Sequence, residues 1–89
     1  MIYTESTIER FNEYAYDKLF EHVKQNKVFD GLDGCGLTIT PPESEPIEVV
    51  TIWYDEENNI VYADTESGEY MLSDFEMEDY LNALEYFGL

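Results

Sequence analysis

Ten carboxylates fall between Tyr54 and Tyr80, with no lysine or arginine among them. Such side chains can coordinate divalent cations, act as acid and base across a glycosidic bond, or present fixed negative charge to a cationic partner. Spacing separates these chemistries. Asp55, Glu57, Asn59 and Glu66 fall at positions about 1, 3, 5 and 12 of an EF-hand loop. The sharp-turning position that requires glycine holds Ile60, and the flanks read as strands, so a hairpin turn is the expectation. With 21 acids in the chain, a pair at catalytic separation arises on any fold, and none is marked out. Cys35 and His22, each the only one of its kind, are the only candidates for a thiol–imidazole pair. Neighbouring carboxylates raise a thiol pKa and oppose the thiolate, so Cys35 reads as a loop thiol and His22 as a surface or half-buried helix residue. The stretch DGLDGCG (30–36) follows a helix, precedes a strand and offers no lysine to a phosphate, the reverse of a nucleotide-binding loop. No enzyme, metal site or cofactor is expected.

The charge is distributed unevenly. The 89 residues carry a formal −17; residues 1–27 hold all four bases against five acids, and residues 28–89 hold sixteen acids and no base. Nucleic acid and anionic membrane surfaces are excluded as direct partners, since both are bound through lysine and arginine. Basic proteins are favoured. The aromatic content of 16% is too high for a disordered acidic tail. The length accommodates a single domain. One cysteine permits no internal disulfide. The opening MIYTESTIERF has neither the basic nor the apolar region of a secretory leader, and no apolar run approaches a membrane span, so a cytoplasmic location is expected.

Elements that would position the charges follow from periodicity. Ile8, Phe11, Ala15, Leu19 and Val23 recur at helical spacing, widened by Tyr14, Tyr16 and Phe20, and predict a helix over 5–26. Thr4 is its expected cap, with Tyr3 stapled on Ile8; Ser6 with Glu9 is an alternative capping box. Lys24 and Lys27 complement the dipole at its end. VFDGLDGCG (28–36) reads as a loop, LTIT (37–40) as a short strand, and PPESEP (41–46) as an extended, exposed break. IEVVTIWYD (47–55) reads as a central strand, with Val49, Thr51 and Trp53 on one face and Val50, Ile52 and Tyr54 on the other. EENN and TESG turn the chain into strands at 60–64 and 69–72. Ser73 and Glu76 form a capping box, with Leu72 and Met77 as staple, for a second helix that buries Met77, Tyr80, Leu81, Leu84 and Phe87 and ends at Gly88. The expectation is an α+β domain in the order α-β-β-β-β-α, with three to four antiparallel strands and one sheet face packed on the two helices.

The acidic surface remains to be explained. As a solvated face it exceeds what solubility needs, a net charge of about 2–8 for a small domain. A scaffold that fixes carboxylates where a groove expects phosphates is the sharper reading. Asp74, Glu78 and Glu85, flanked by Glu76 and Asp79, would line one exposed side of the second helix. The hairpins add Asp55, Glu56, Glu57, Asp64, Glu66 and Glu69. Tyr54, Tyr62, Tyr70 and Tyr86 are candidates to stack on arginine. In size, charge and single-domain form the chain resembles the small acidic inhibitors that phages encode against host DNA-targeting defence, the anti-restriction and anti-CRISPR proteins, several of which mimic DNA. That resemblance, which carries no shared motif, implies that a basic channel of a nuclease or defence effector is occupied in place of DNA in the host cytoplasm. An immunity protein that neutralises a nuclease toxin fits the same physics, and an acidic domain without a basic partner is the bland alternative.

Overall fold

A computed structural model describes residues 5–89 of the chain. The N-terminal apolar stripe forms helix α1, Glu5–Asn26. Ala15, Leu19 and Val23 are fully buried, and Phe11, Tyr16 and Phe20 pack at their margin. Tyr14 does not widen the stripe; it faces solvent, with Lys18 over its ring. The expected cap at Thr4 and the Tyr3–Ile8 staple lie outside the described residues, and Ser6 is already helical. The chain leaves α1 through Lys27, which takes a left-handed φ of 71° and donates its N–H to the Val23 carbonyl at 2.7 Å.

Five strands follow: β1 (Val28–Phe29), β2 (Thr38–Ile39), β3 (Ile47–Asp55), β4 (Ile60–Thr65) and β5 (Gly68–Met71). All pairings are antiparallel, in the order β1-β3-β4-β5, with β2 against the first half of β3. The fold is α+β with helices at both ends of the chain and β3 at the centre of the sheet, as its doubly apolar sequence predicts. Two details differ from the sequence reading. Val28 and Phe29 pair with Trp53 and Ile52 as a two-residue strand, too short to show any period. The register also shifts between Val49 and Thr51. This bulge sets two residues of β3 against one of β4 and turns Val49 and Ile52, assigned to opposite faces by strict alternation, into the same core. The Val50 carbonyl accepts the N–H of Leu32 at 2.8 Å, which pins the glycine-rich loop to the bulge. Residues 41–46 form a turn rather than an extended run, with Ser44 N–H on the Pro41 carbonyl at 3.1 Å.

A 3-10 turn over Leu72–Asp74 leads into α2, Met77–Phe87. Ser73 is not its cap. Glu76 takes that place, and Asp79 at the third helical position accepts the Glu76 N–H at 3.1 Å. The staple is accordingly Phe75 against Tyr80, ring centroids 5.5 Å apart, rather than Leu72 against Met77. The expected stripe keeps its phase: Tyr80 and Leu84 are buried with Ala83 between them, and Phe87 packs at the core's margin, while Leu81 faces solvent. Gly88 ends the helix at φ 71°, as expected. Val49, Ile52, Val61 and Ala63 of the sheet meet Leu19, Val23, Tyr80 and Leu84 of the helices in one core, each buried aliphatic contributing about 1.5–3 kcal/mol.

Candidate functional site

The carboxylates named from sequence do not gather into one patch. Asp55, Glu56 and Glu57 sit at the β3–β4 turn. Asp55 closes that turn: its side chain accepts the Asn58 side-chain amide at 2.8 Å and the N–H groups of Glu57 and Asn58 at 3.1 and 3.3 Å. These bonds hold its carboxyl below the usual range, the Asn58 side chain first. Glu56 takes the ammonium of Lys27, the only salt bridge among the described residues, and that ammonium also lies 5.5 Å from the centroid of the Tyr54 ring. Glu66 lies at the tip of the β4–β5 hairpin, across the length of β4, roughly 20 Å at 3.3 Å per residue. The EF-hand spacing is therefore a hairpin, and the described residues contain no group of three or more His, Cys, Asp or Glu placed to hold a metal.

The helix-side acids divide as well. Asp74 belongs to the 3-10 turn and not to the α2 face that carries Glu78 and Glu85. Glu76 is exposed at the cap. Asp79, expected on the partner-facing side, is buried to 4% exposure and accepts the Thr40 N–H at 2.7 Å as well as that of Glu76. It ties the strand-to-turn segment after β2 to the start of α2 and is not accessible to a partner.

Asp64 and Glu69 occupy the sheet face away from the helices. Their Cα positions pair directly across β4 and β5. Like charges so placed repel, and the Glu69 carboxyl is raised above its ordinary value by desolvation first and then by Asp64. One oxygen of Asp64, Oδ1, is enclosed without a hydrogen-bond partner. Thr51 continues the row, paired with Asp64, and donates its hydroxyl to Asp30 Oδ1 at 2.8 Å. That bond and the Gly31 N–H hold the Asp30 carboxyl low. The adjacent row is Val28, Trp53, Tyr62 and Met71, read straight across four strands. The Trp53 and Tyr62 rings stack at 5.0 Å and 25°.

Of the four tyrosines proposed for stacking, only Tyr62 stands on this face. Tyr54 and Tyr70 pack against the core, and Tyr86 lies exposed on α2. Sequence reasoning did not single out Trp53, Asp30 or Val28. The signal for Trp53 was present, since a four-residue turn at Glu56–Asn59 sets position 53 opposite 62. His22 is half-buried between Phe29 and Phe87, centroids 5.2 and 5.1 Å away. Cys35 is exposed; its thiol reaches the Gly31 carbonyl at 3.9 Å and raises the Tyr86 hydroxyl by a hydrogen bond. A groove between α1 and the 3-10 turn, lined by Asn12, Glu13, Tyr16, Asp17, Ser73 and Tyr80, holds the Tyr80 hydroxyl bonded to the Leu72 carbonyl at 2.8 Å. Burial pushes that hydroxyl up to about 12. Compared with protein-family models, curated protein sequences and solved structures, the chain matches none.

Proposed function

We propose that this protein is an inhibitor that binds the basic nucleic-acid-binding surface of another protein, a nuclease or a DNA-targeting defence effector, and keeps DNA from it. The observation that supports the reading is the charge left uncompensated on a folded scaffold. Sixteen acids and no base occupy residues 28–89, and the single salt bridge among the described residues uses one of them. Asp55 and Asp79 serve turns and caps, but Glu57, Glu66, Glu78 and Glu85 extend into solvent from hairpin tips and a helix. A scaffold that holds such charges in place loses less entropy on binding than a flexible acidic tail. Its association with a basic groove is fast and strongly salt-dependent.

Immobilised protein exposed to bacterial lysates tests this. The expected result is capture of a DNA-binding protein that competitor duplex DNA releases, followed by loss of its DNA binding or cleavage when the inhibitor is added. The identity of the captured protein then separates a defence effector from a nuclease toxin. Release by high salt but not by DNA would place the contact outside the DNA channel. No specific capture from several hosts would leave an acidic domain without a basic partner.

A further inference from the structure

The sheet has two faces and the described elements cover one. Its helical side carries the core. The other side presents the row Val28, Trp53, Tyr62 and Met71, with Val28 52% and Met71 36% exposed. An antiparallel sheet that merely faces water shows polar residues there. A stacked indole and phenol between two exposed aliphatic side chains is the composition of an interface centre. Carboxylates border it on both sides. Asp30, Asp64 and Glu69 lie along one edge through the Thr51 row, and Asp55 lies in the next row along the other. No base stands on these strands, because residues 28–89 contain none, and Lys27 is turned to Glu56 and the Tyr54 ring.

From this arrangement we infer that the open sheet face is where the protein docks, and that it receives an arginine-bearing segment of the basic partner, a guanidinium at the Asp64–Glu69 pair and apolar or arginine side chains over Trp53 and Tyr62. The inference rests on the inhibitor reading above and gives it a contact surface. Arginine fits better than lysine. Its planar fork can bridge two carboxylates while its flat face lies on an aromatic ring. A second copy of the chain fits poorly, since it brings the same carboxylates and a net −17. The exposed face of α2, with Glu78, Leu81 and Glu85, lies on the helical side and has no aromatic stack.

Trp53 is the only tryptophan, so its fluorescence reports on this face alone. The probe is a synthetic peptide alternating arginine and leucine, titrated at low salt against its lysine–leucine counterpart, with calorimetry run in parallel. The arginine peptide is expected to change Trp53 emission and to bind several-fold tighter than the lysine one. The double variant Asp64→Asn/Glu69→Gln, which removes a repulsion and so keeps the fold, is expected to bind about tenfold or more weakly. Glu9→Gln/Glu21→Gln, which removes the same charge from exposed positions of α1, is expected to bind as wild type does. Calorimetric binding that leaves Trp53 emission unchanged, or that survives the Asp64/Glu69 substitutions, overturns the docking face while the cation-binding reading stands. If neither peptide binds at low salt, both fall. If Trp53 emission instead changes with protein concentration and sedimentation shows a dimer, a second copy covers the face and the inference is wrong.

Discussion

Replacing Asp79 by alanine tests whether this acid is a fastener rather than part of the recognition surface. The carboxylate is 4% exposed and accepts two backbone N–H groups, Thr40 at 2.7 Å and Glu76 at 3.1 Å. Hydrogen bonds to a charged acceptor contribute about 1.5–3 kcal/mol each, and stranding a buried donor costs about 1–3 kcal/mol. Thr40 is only half-buried and Glu76 is exposed, so water replaces part of what is lost. The estimate is therefore about 2–4 kcal/mol for Asp79→Ala, or a fall in Tm of roughly 10–25 °C for a domain of this size. Asp79→Asn keeps one acceptor and sets an amide donor against the other N–H, so it should cost about half as much. Urea unfolding followed by Trp53 emission, with thermal unfolding by circular dichroism, measures both. Glu78→Ala, one residue away on the exposed side, is the control and should leave the midpoint unchanged. If Asp79→Ala falls within about 0.5 kcal/mol of wild type, as ordinary surface substitutions do, then the bond from Thr40 to α2 is not holding the fold together.

Four further outcomes follow from the geometry and the charge. A carboxyl with a folded pKa above its unfolded value binds more protons when folded, so once ionised it disfavours the native state. Glu69 is such a group; Glu69→Gln should unfold at a higher midpoint than wild type at pH 7, with the difference closing as pH falls toward about 4. Asp55, with its pKa lowered, runs the opposite way: the stability it adds is present above the unfolded value and is lost as pH drops through the folded one, so Asp55→Ala should differ from wild type at pH 7 and converge with it in acid. Gly88→Ala meets no neighbouring atom but must hold φ 71°, which costs an alanine about 1–2 kcal/mol, read as a lower urea midpoint. Raising salt to about 1 M, where the screening length is about 3 Å, should raise Tm by weakening the self-repulsion of the net −17.

Much of the fold was legible because its long elements have strong local periods. The α1 stripe and the nine residues of β3 coincide with the predicted spans. What escaped was set by contacts between elements. β1 exists because Trp53 and Ile52 offer it a ladder, and two residues cannot carry a period of their own. The bulge at Val50 is fixed by an N–H from Leu32 in a distant loop, and nothing in the local sequence marks it. The start of α2 was misplaced because two capping boxes overlap, Ser73 with Glu76 and Glu76 with Asp79. Thr40 settles the choice by donating to Asp79 across 39 positions of chain. The same tertiary bond removes Asp79 from the accessible acids. The sign and excess of the charge were plain in the sequence. Its division between turn closure, capping and an open aromatic face was not, because that division depends on strand register.

The opposition of Asp64 and Glu69 leads to a final prediction. Both side chains stand on a face with room for other residues, and a lysine at either position would turn a repulsion into an attraction. The protein instead carries two directly paired carboxylates beside the stacked Trp53 and Tyr62. A cationic group arriving from outside offsets that repulsion in the bound state alone, so the native protein gains more from binding than its contacts by themselves would supply. By linkage, a ligand that binds only the folded form raises the unfolding midpoint in proportion to its affinity. The arginine–leucine peptide should therefore raise the Tm of wild type, while Asp64→Asn/Glu69→Gln starts from a higher Tm and gains little from the same peptide. The two melting curves should converge as peptide is added. Equal increments for both proteins would show that the repulsion on the sheet face is unrelated to binding, and that the carboxylates which recognise a basic partner lie elsewhere.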